Sequence, residues 1–211
     1  MTQRVRKLHR LLPVLFVAAA WMAAAAPATS QQMQTLFDGN VRHGGFGGPV
    51  VKFSSIDGKT GVWVGGRGGW ILNFSNEHAI SLGGGGYGLV TEHQVPNPSV
   101  PLVSEFAAIG YGGFEMEYTN RTYQLVHFTA STLIGAGGAT TRDSDYVEID
   151  SDANTFFVLE PGLNIEMNVT SFFRIATGVS YFYTSGISKA GLQDSDFSGF
   201  KGKLTFKFGS F

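Results

Sequence analysis

The 211-residue chain contains no cysteine. This absence excludes disulfide bonds and an N-terminal anchor carried on a lipid-modified cysteine. It also argues against a thiol mechanism and against a cysteine-ligated zinc site, and the five histidines are not clustered in a way that would replace one. The fold must therefore be stabilised without covalent cross-links.

Long hydrophobic runs are also missing, except for one near the N-terminus. There, four basic residues precede an apolar run over residues 11–26, which ends in Ala26-Pro27-Ala28; the basic residues are Arg4, Arg6, Lys7 and Arg10. A basic segment, a short apolar segment and a small-residue site are typical of a secretory signal peptide. An uncleaved anchor is less consistent with a run shorter than the roughly 20 residues that span a membrane. We predict a signal peptide over residues 1–28, cleaved after Ala28.

The chain has no strong excess of either charge. It carries 15 basic and 16 acidic residues, and losing the four basic residues of the signal peptide would leave 11 basic against 16 acidic, a net charge of −5. Proteins that bind nucleic acid usually present a basic face. The composition therefore argues against a nucleic-acid partner.

Since no later segment is apolar and long enough for a membrane helix, strands would have to make any crossing. An alternating pattern is present. Between residues 157 and 169, the apolar residues Phe157, Leu159 and Ile165 occupy odd positions, whereas Glu160 and Glu166 occupy even ones. A period of two places these sets on opposite faces of a strand.

Eight segments follow this pattern, over residues 44–56, 61–74, 79–91, 106–118, 123–138, 154–168, 172–183 and 197–211. Short turns are predicted at 75–77, 119–122 and 169–171, and long polar loops at 92–105, 140–153 and 184–196. Short turns on one side and longer loops on the other are typical of bacterial outer-membrane barrels. We predict an all-β fold: an eight-stranded antiparallel up-and-down transmembrane β-barrel over residues 44–211, with residues 29–43 as a periplasmic tail.

The aromatic residues favour a membrane barrel over a soluble one. One group falls beside the short turns and another near the long loops, as two interfacial girdles require; the first comprises Phe74, Tyr118, Tyr123, Phe172 or Phe173, and Phe208, and the second comprises Phe106, Phe157, Tyr183 and Phe200. The alternative is a soluble periplasmic lipocalin-like barrel, in which the apolar face would line a binding cavity.

Charged residues fall on the face opposite the apolar one and would be buried in a narrow lumen. They are Lys52, Arg67, Glu115, Glu117, His127, Glu160, Glu166, Arg174, Lys201, Lys203 and Lys207. Eight strands enclose a space that side chains can fill. We therefore predict a network of ion pairs across the lumen rather than an aqueous pore.

Together, the signal peptide, the eight segments, the girdles and the C-terminal Phe211 resemble the small outer-membrane β-barrel family of the OmpA and OmpX type. The resemblance is architectural. It implies the outer membrane of a Gram-negative-type bacterium, contact with outer-membrane lipids and insertion by the outer-membrane assembly machinery, but no particular activity. Phe211 has the opposite parity to Phe206 and Phe208, which predicts either a bulge at Gly209-Ser210 or a position at the rim.

Three Asp-Ser-Asp triplets are candidates for a divalent-cation site, because hard cations prefer several oxygen ligands. The candidate ligands are Asp143, Asp145, Asp150, Asp152, Asp194 and Asp196. The alternative is that the triplets only keep the loops solvated. No further cofactor is predicted.

An enzymatic hypothesis depends on His127, since Leu125-Val126-His127-Phe128-Thr129 faintly resembles the His-x-Ser arrangement of outer-membrane lipid A deacylases. Threonine replaces serine here, and the alternation places His127 in the lumen, away from lipid. No G-x-S-x-G motif is present. We therefore predict a non-enzymatic barrel whose long loops meet an unidentified extracellular or envelope partner, with an outer-membrane lipid-modifying enzyme as the alternative.

Overall fold

The computed structural model describes residues 41–56, 58–95, 105–142, 154–187 and 193–211. These residues form nine strands and one helical turn. The strands are β1 (Arg42–Ile56), β2 (Lys59–Asn73), β3 (His78–Leu89), β4 (Gln94–Val95), β5 (Glu105–Asn120), β6 (Val126–Arg142), β7 (Asn154–Asn168), β8 (Phe173–Ser185) and β9 (Gly199–Ser210), and the turn is α1 (Asp194–Phe197). No helix within these ranges is long and apolar enough to cross a membrane.

Eight of the strands close into a barrel. Each pairs antiparallel with its neighbour in the order β3-β2-β1-β9-β8-β7-β6-β5, and β3 pairs with β5 to complete the ring. The two-residue β4 pairs with the start of β5 outside the ring. Closure pairs every strand edge, which an isolated sheet in lipid could not do. The predicted eight-stranded up-and-down barrel is confirmed.

The two faces of the wall have opposite chemistry. Along β9, Lys201, Lys203 and Lys207 are buried, whereas Phe200 and Phe208 are 74% and 46% exposed. The same alternation runs around the ring, so that large apolar side chains cover the outside and the charged side chains of the strands lie within, together with some buried apolar ones. This arrangement is the reverse of a soluble lipocalin-like barrel.

Three short connections, at residues 74–77, 121–125 and 169–172, lie together at one end of the barrel, which we call the turn end; the hairpin between β1 and β2, where Ile56 pairs with Lys59, lies at the other end. The N-terminus of β1 and the C-terminus of β9 lie there as well, because Gly45 pairs with Ser210. The opposite end, where β8 and α1 are connected, is called the loop end. Exposed aromatic residues occur near both ends, among them Tyr123 and Phe172 at the turn end and Tyr183 and Phe200 toward the loop end.

Several predicted boundaries were wrong by a few residues. The β1 strand begins at Arg42, so the last two residues of the predicted tail belong to the barrel wall. The β5 strand continues to Asn120, which displaces the predicted turn toward the C-terminus. At the other end of the chain, Phe197 belongs to α1 rather than to the last strand. Residues 1–40 lie outside the described part, so the signal peptide stays a prediction.

The C-terminal Phe211 follows the lumen-facing parity of β9. The β1–β9 register is regular from Gly47↔Phe208 to Gly45↔Ser210, so no bulge is present. The ring of Phe211 packs beside Phe46 and Ile71 and lies 3.8 Å from the guanidinium carbon of Arg174. Of the two predicted arrangements, the position at the rim of the lumen is the one observed.

Candidate functional site

The lumen contains all eleven polar residues that the sequence places there, each no more than 8% exposed. Nine of them form three groups along the barrel axis, each supplied by several strands. The groups are described from the turn end to the loop end.

The turn-end group is centred on Glu166 of β7. Its carboxylate contacts Lys207, receives a hydrogen bond from Arg174 Nη1 at 3.1 Å and lies 3.3 Å from Nε2 of His127. Lys207 also donates to Glu117 at 2.6 Å. Two carboxylates and two basic side chains thus lie against each other in a space without bulk water, which is the arrangement that makes a buried ion pair tolerable.

The middle group is centred on Arg67 of β2. Its Nη1 donates to Glu117 at 2.9 Å, and its Nε lies 2.6 Å from Glu115, although that N–H is not aligned for a hydrogen bond. Tyr87 donates its hydroxyl hydrogen to the other oxygen of Glu115 at 2.6 Å. Arg67 therefore joins two acidic residues that lie two positions apart on one face of β5.

The loop-side group is centred on Glu160 of β7. Lys52 donates to both of its oxygens at 2.8 Å, Tyr111 donates at 2.7 Å and Ser180 at 2.6 Å. The four groups come from β1, β5, β7 and β8, on all sides of the lumen. Their contacts connect opposite walls, as a cross-link would.

Two lysines of β9 have no carboxylate within ion-pair distance among the described residues. Lys203 donates to Ser131 at 3.3 Å. The ammonium of Lys201 lies 3.3 Å from the ring centre of Phe182 and 3.7 Å from that of Trp63, and it donates to Tyr111 at 3.4 Å. Aromatic faces attract a cation through the ring quadrupole, so rings provide part of the stabilisation that carboxylates give elsewhere.

Aromatic side chains fill the lumen on the loop side of these groups, which the sequence analysis did not anticipate. Trp63, Tyr111 and Phe182 are in mutual ring contact at 4.6–5.8 Å, and Phe156 and Phe197 join the same cluster. We call these five residues the aromatic plug. Trp63, Tyr111, Phe156 and Phe182 have the same strand parity as the charged residues, so parity applied to every residue type would have found them.

The turn end of the lumen is also closed. Between the ionic groups and Phe211, a cavity of about 10 Å³ remains, which is the space that one water molecule needs. Beyond it, the barrel mouth widens into an open bowl lined by Arg42, Tyr123 and Asn168, among others.

His127, the candidate for an enzymatic role, is 2% exposed. Its Nδ1 lies 3.1 Å from the carbonyl oxygen of Gln124 and its Nε2 faces Glu166. Both ring nitrogens are thus engaged inside the barrel, where a membrane lipid has no access. These contacts favour a structural role for this histidine.

Of the six candidate metal ligands, Asp143, Asp145, Asp150 and Asp152 lie outside the described residues. Asp194 accepts hydrogen bonds from the backbone amides of Gly186 at 3.1 Å and Ile187 at 2.9 Å. Asp196 accepts from the amide of Gln193 at 2.8 Å. No group of three or more metal-ligating side chains occurs in the described ranges.

The contacts of Asp194 hold α1 against the end of β8, where Ile187 and Phe197 are 5% and 2% exposed. We expect Asp194→Ala to release this turn, because two backbone amides lose their acceptor at a cost of about 1–3 kcal/mol. Hydrogen exchange at Gly186 and Ile187 should accelerate, while exchange in β7 stays unchanged. Asp194→Asn, which retains one acceptor oxygen, serves as the control, and equal protection in all three proteins would contradict the assignment.

Comparison with solved structures found several chains of similar fold. The chain is similar to the solved structure of Ail, the attachment invasion locus protein of Yersinia pestis, with a TM-score of 0.50 and 15% identity, over 81% of this chain and 98% of Ail. It also resembles Neisserial surface protein A, at 11% identity and a TM-score of 0.46 over 82% and 99% of the two chains. For the outer membrane protein OprG from Pseudomonas aeruginosa, the identity is 10% and the TM-score is 0.47, over 82% of this chain and 98% of OprG.

No known family model matches the chain, and no curated protein matches it either. At these identities the likeness to Ail demonstrates the fold alone. The architecture is that of the small eight-stranded outer-membrane β-barrels.

Proposed function

We propose that this chain is a non-enzymatic protein of the bacterial outer membrane, in which a closed and rigid barrel carries extracellular loops that form an interaction surface. The turn end would face the periplasm and the loop end the exterior. Export would use the signal peptide over residues 1–28, and insertion would use the outer-membrane assembly machinery. Residues 29–41 would form a periplasmic tail ahead of β1.

The observation that carries this proposal is the inversion of the two faces. Phe128, Leu163 and Phe200 are each at least 66% exposed, whereas Lys52, Lys201 and Lys207 are each at most 2% exposed. In water, such an exterior would form an aggregation-prone patch far larger than soluble monomers tolerate. A bilayer removes that penalty because its acyl chains are apolar themselves.

The filled lumen supports a structural role over a transport role. The ionic groups close the turn side and the aromatic plug closes the loop side. Eight strands normally enclose only enough space for side chains, whereas porins need about 16 to leave a channel. Interaction would therefore depend on the surface, and the loops connecting the strands at the loop end are the variable part of such a scaffold.

The test uses the full chain, expressed with its own N-terminal segment in a Gram-negative host. We expect recovery in the outer-membrane fraction and a compact, faster-migrating band when the sample is not boiled before electrophoresis. In planar bilayers, the purified protein should show no stable conducting steps, while a 16-stranded porin in the same bilayers gives them. A soluble periplasmic product, or steady conductance from the folded band, would overturn the proposal.

A further inference from the structure

The outer wall contains a break in strand pairing at Pro161 of β7. The β7–β8 ladder is paired at Leu159↔Tyr183 and resumes at Gly162↔Ser180, without pairs between them. On its other side Pro161 remains paired with Thr132 of β6. Because proline has no N–H to donate, the missing hydrogen bond is directed toward β8.

A groove of about 330 Å³ lies at this break, on the outside of the barrel. Its floor is formed by small outward positions, Ala130 and Thr132 of β6 with Pro161 itself. Its sides are formed by larger residues, Leu163 and Val179 on one side and the contacting rings of Tyr181 and Phe200 on the other, with ring centres 5.2 Å apart. None of the residues lining the groove is charged.

We propose that this groove binds one acyl chain of a membrane lipid. The inference rests on the proposed membrane location, since it requires the groove to face hydrocarbon. The groove is continuous with the exposed apolar wall and lies midway along β7, between the levels of the two aromatic girdles. Its volume is at the lower end of the range of about 300–1,000 Å³ for ligand sites, which suits one flexible chain and not a whole lipid.

A second copy of the barrel is a poorer occupant. The groove is concave, whereas the wall of another barrel is convex. Ten residues line the groove, and a specific protein interface needs about 20–30 residues on each side. A flexible chain of methylene groups can follow a narrow groove and needs neither a convex surface that matches it nor an interface of that size.

The wall is thin at this point, because the polar lumen lies directly behind it. Ser180, which lines the groove, donates to Glu160 at 2.6 Å, and Ser131, which lines it from the other side of β7, accepts from Lys203 at 3.3 Å. A bound acyl chain would therefore cover the break in the ladder and exclude water from the loop-side ionic group. This role explains why the groove floor consists of small side chains.

The experiment measures lipid retained by the folded protein. The full chain is extracted from membranes in a mild non-ionic detergent, and phosphatidylethanolamine adducts are counted by native mass spectrometry. We expect one retained lipid for the unaltered chain and a loss of at least about five-fold for Ala130→Leu combined with Thr132→Leu, the order expected when one or two methylene groups lose their contacts. Ala136→Leu, on the same outward face of β6 but outside the groove, should retain the lipid.

A second measurement uses the unaltered chain, so that it does not depend on how the variants fold. A phospholipid with a photoreactive group in its acyl chain should label residues 161–163 and 179–181 well above the rest of the wall. Uniform labelling around the barrel, or equal lipid retention in the filled variant and the Ala136→Leu control, would overturn the proposal. Failure to recover a heat-modifiable band in the outer membrane would instead refute the proposed function itself.

Discussion

Replacing Glu166 with alanine is expected to lower the free energy of unfolding by about 3–5 kcal/mol, the cost of leaving buried charges without a partner. Glu166 contacts Lys207, Arg174 and His127, and each is buried in the barrel. Glu117 compensates Lys207 in part but does not contact Arg174 or His127 among the described ion pairs. The truncated site would therefore hold more positive charge than it can neutralise.

The measurement is urea unfolding in detergent micelles, followed by tryptophan fluorescence. Glu77→Ala removes an acidic side chain that is 55% exposed at the turn end, and we expect a change below about 1 kcal/mol because exposed pairs contribute little. Glu166→Gln keeps the shape of the side chain but not its charge. We expect its loss in the free energy of unfolding to lie between those of Glu166→Ala and Glu77→Ala. Equal midpoints for Glu166→Ala and Glu77→Ala would show that the turn-end group does not stabilise the barrel.

Adding one methyl group at Gly48 is expected to prevent closure of the barrel, whereas the same change at Gly47 should be tolerated. A Cβ on Gly48 would lie 1.7 Å from the carbonyl oxygen of Phe206 on β9, while a Cβ on Gly47 would have its nearest neighbour at 4.0 Å. The clash is with backbone, which cannot move without separating β1 from β9. Overpacking usually costs about 1–3 kcal/mol, and we expect Gly48→Ala to exceed that range.

Heat-modifiable migration measures this effect directly, because only a closed barrel resists the detergent. Gly48→Ala should give mainly the slow, unfolded band, and Gly47→Ala should give the compact band of the unaltered chain. The two positions are adjacent in β1 and undergo the same glycine-to-alanine change, so intrinsic strand propensity does not distinguish them. They differ because they face opposite sides of the wall. A compact band for both variants would contradict the close approach of β1 and β9.

The sequence predicted the wall because a strand has a fixed period of two. In β7, the alternation of Leu159, Leu163 and Ile165 with Glu160 and Glu166 decided the strand, its length and its two faces, and the predicted range 154–168 is the one observed. The ends of the strands were harder to predict than their faces. The residues at the β5–β6 turn continue the pairing beyond the point where the pattern weakens, because tertiary pairing extends strands past their local preference.

The contents of the lumen were only partly predictable. The charged residues were assigned to the lumen because their burial requires partners, whereas Trp63, Tyr111 and Phe182, which have the same strand parity, were assigned to neither face. The packing of α1 at the barrel mouth had no local signal, since it depends on Phe197 joining the same buried cluster as Phe156 of β7 and Phe182 of β8.

The sequence alone therefore determined that the chain forms strands, how many of them form the ring and which charged residues face inward, because these properties depend on local period and composition. The tertiary structure decided which inward residues meet. The partners of Glu166 come from β6, β8 and β9, and the rings around Lys201 come from β2, β5 and β8. Such contacts depend on the register with which distant strands close around the lumen, and on the break that Pro161 introduces in its wall, and no period in the chain records either.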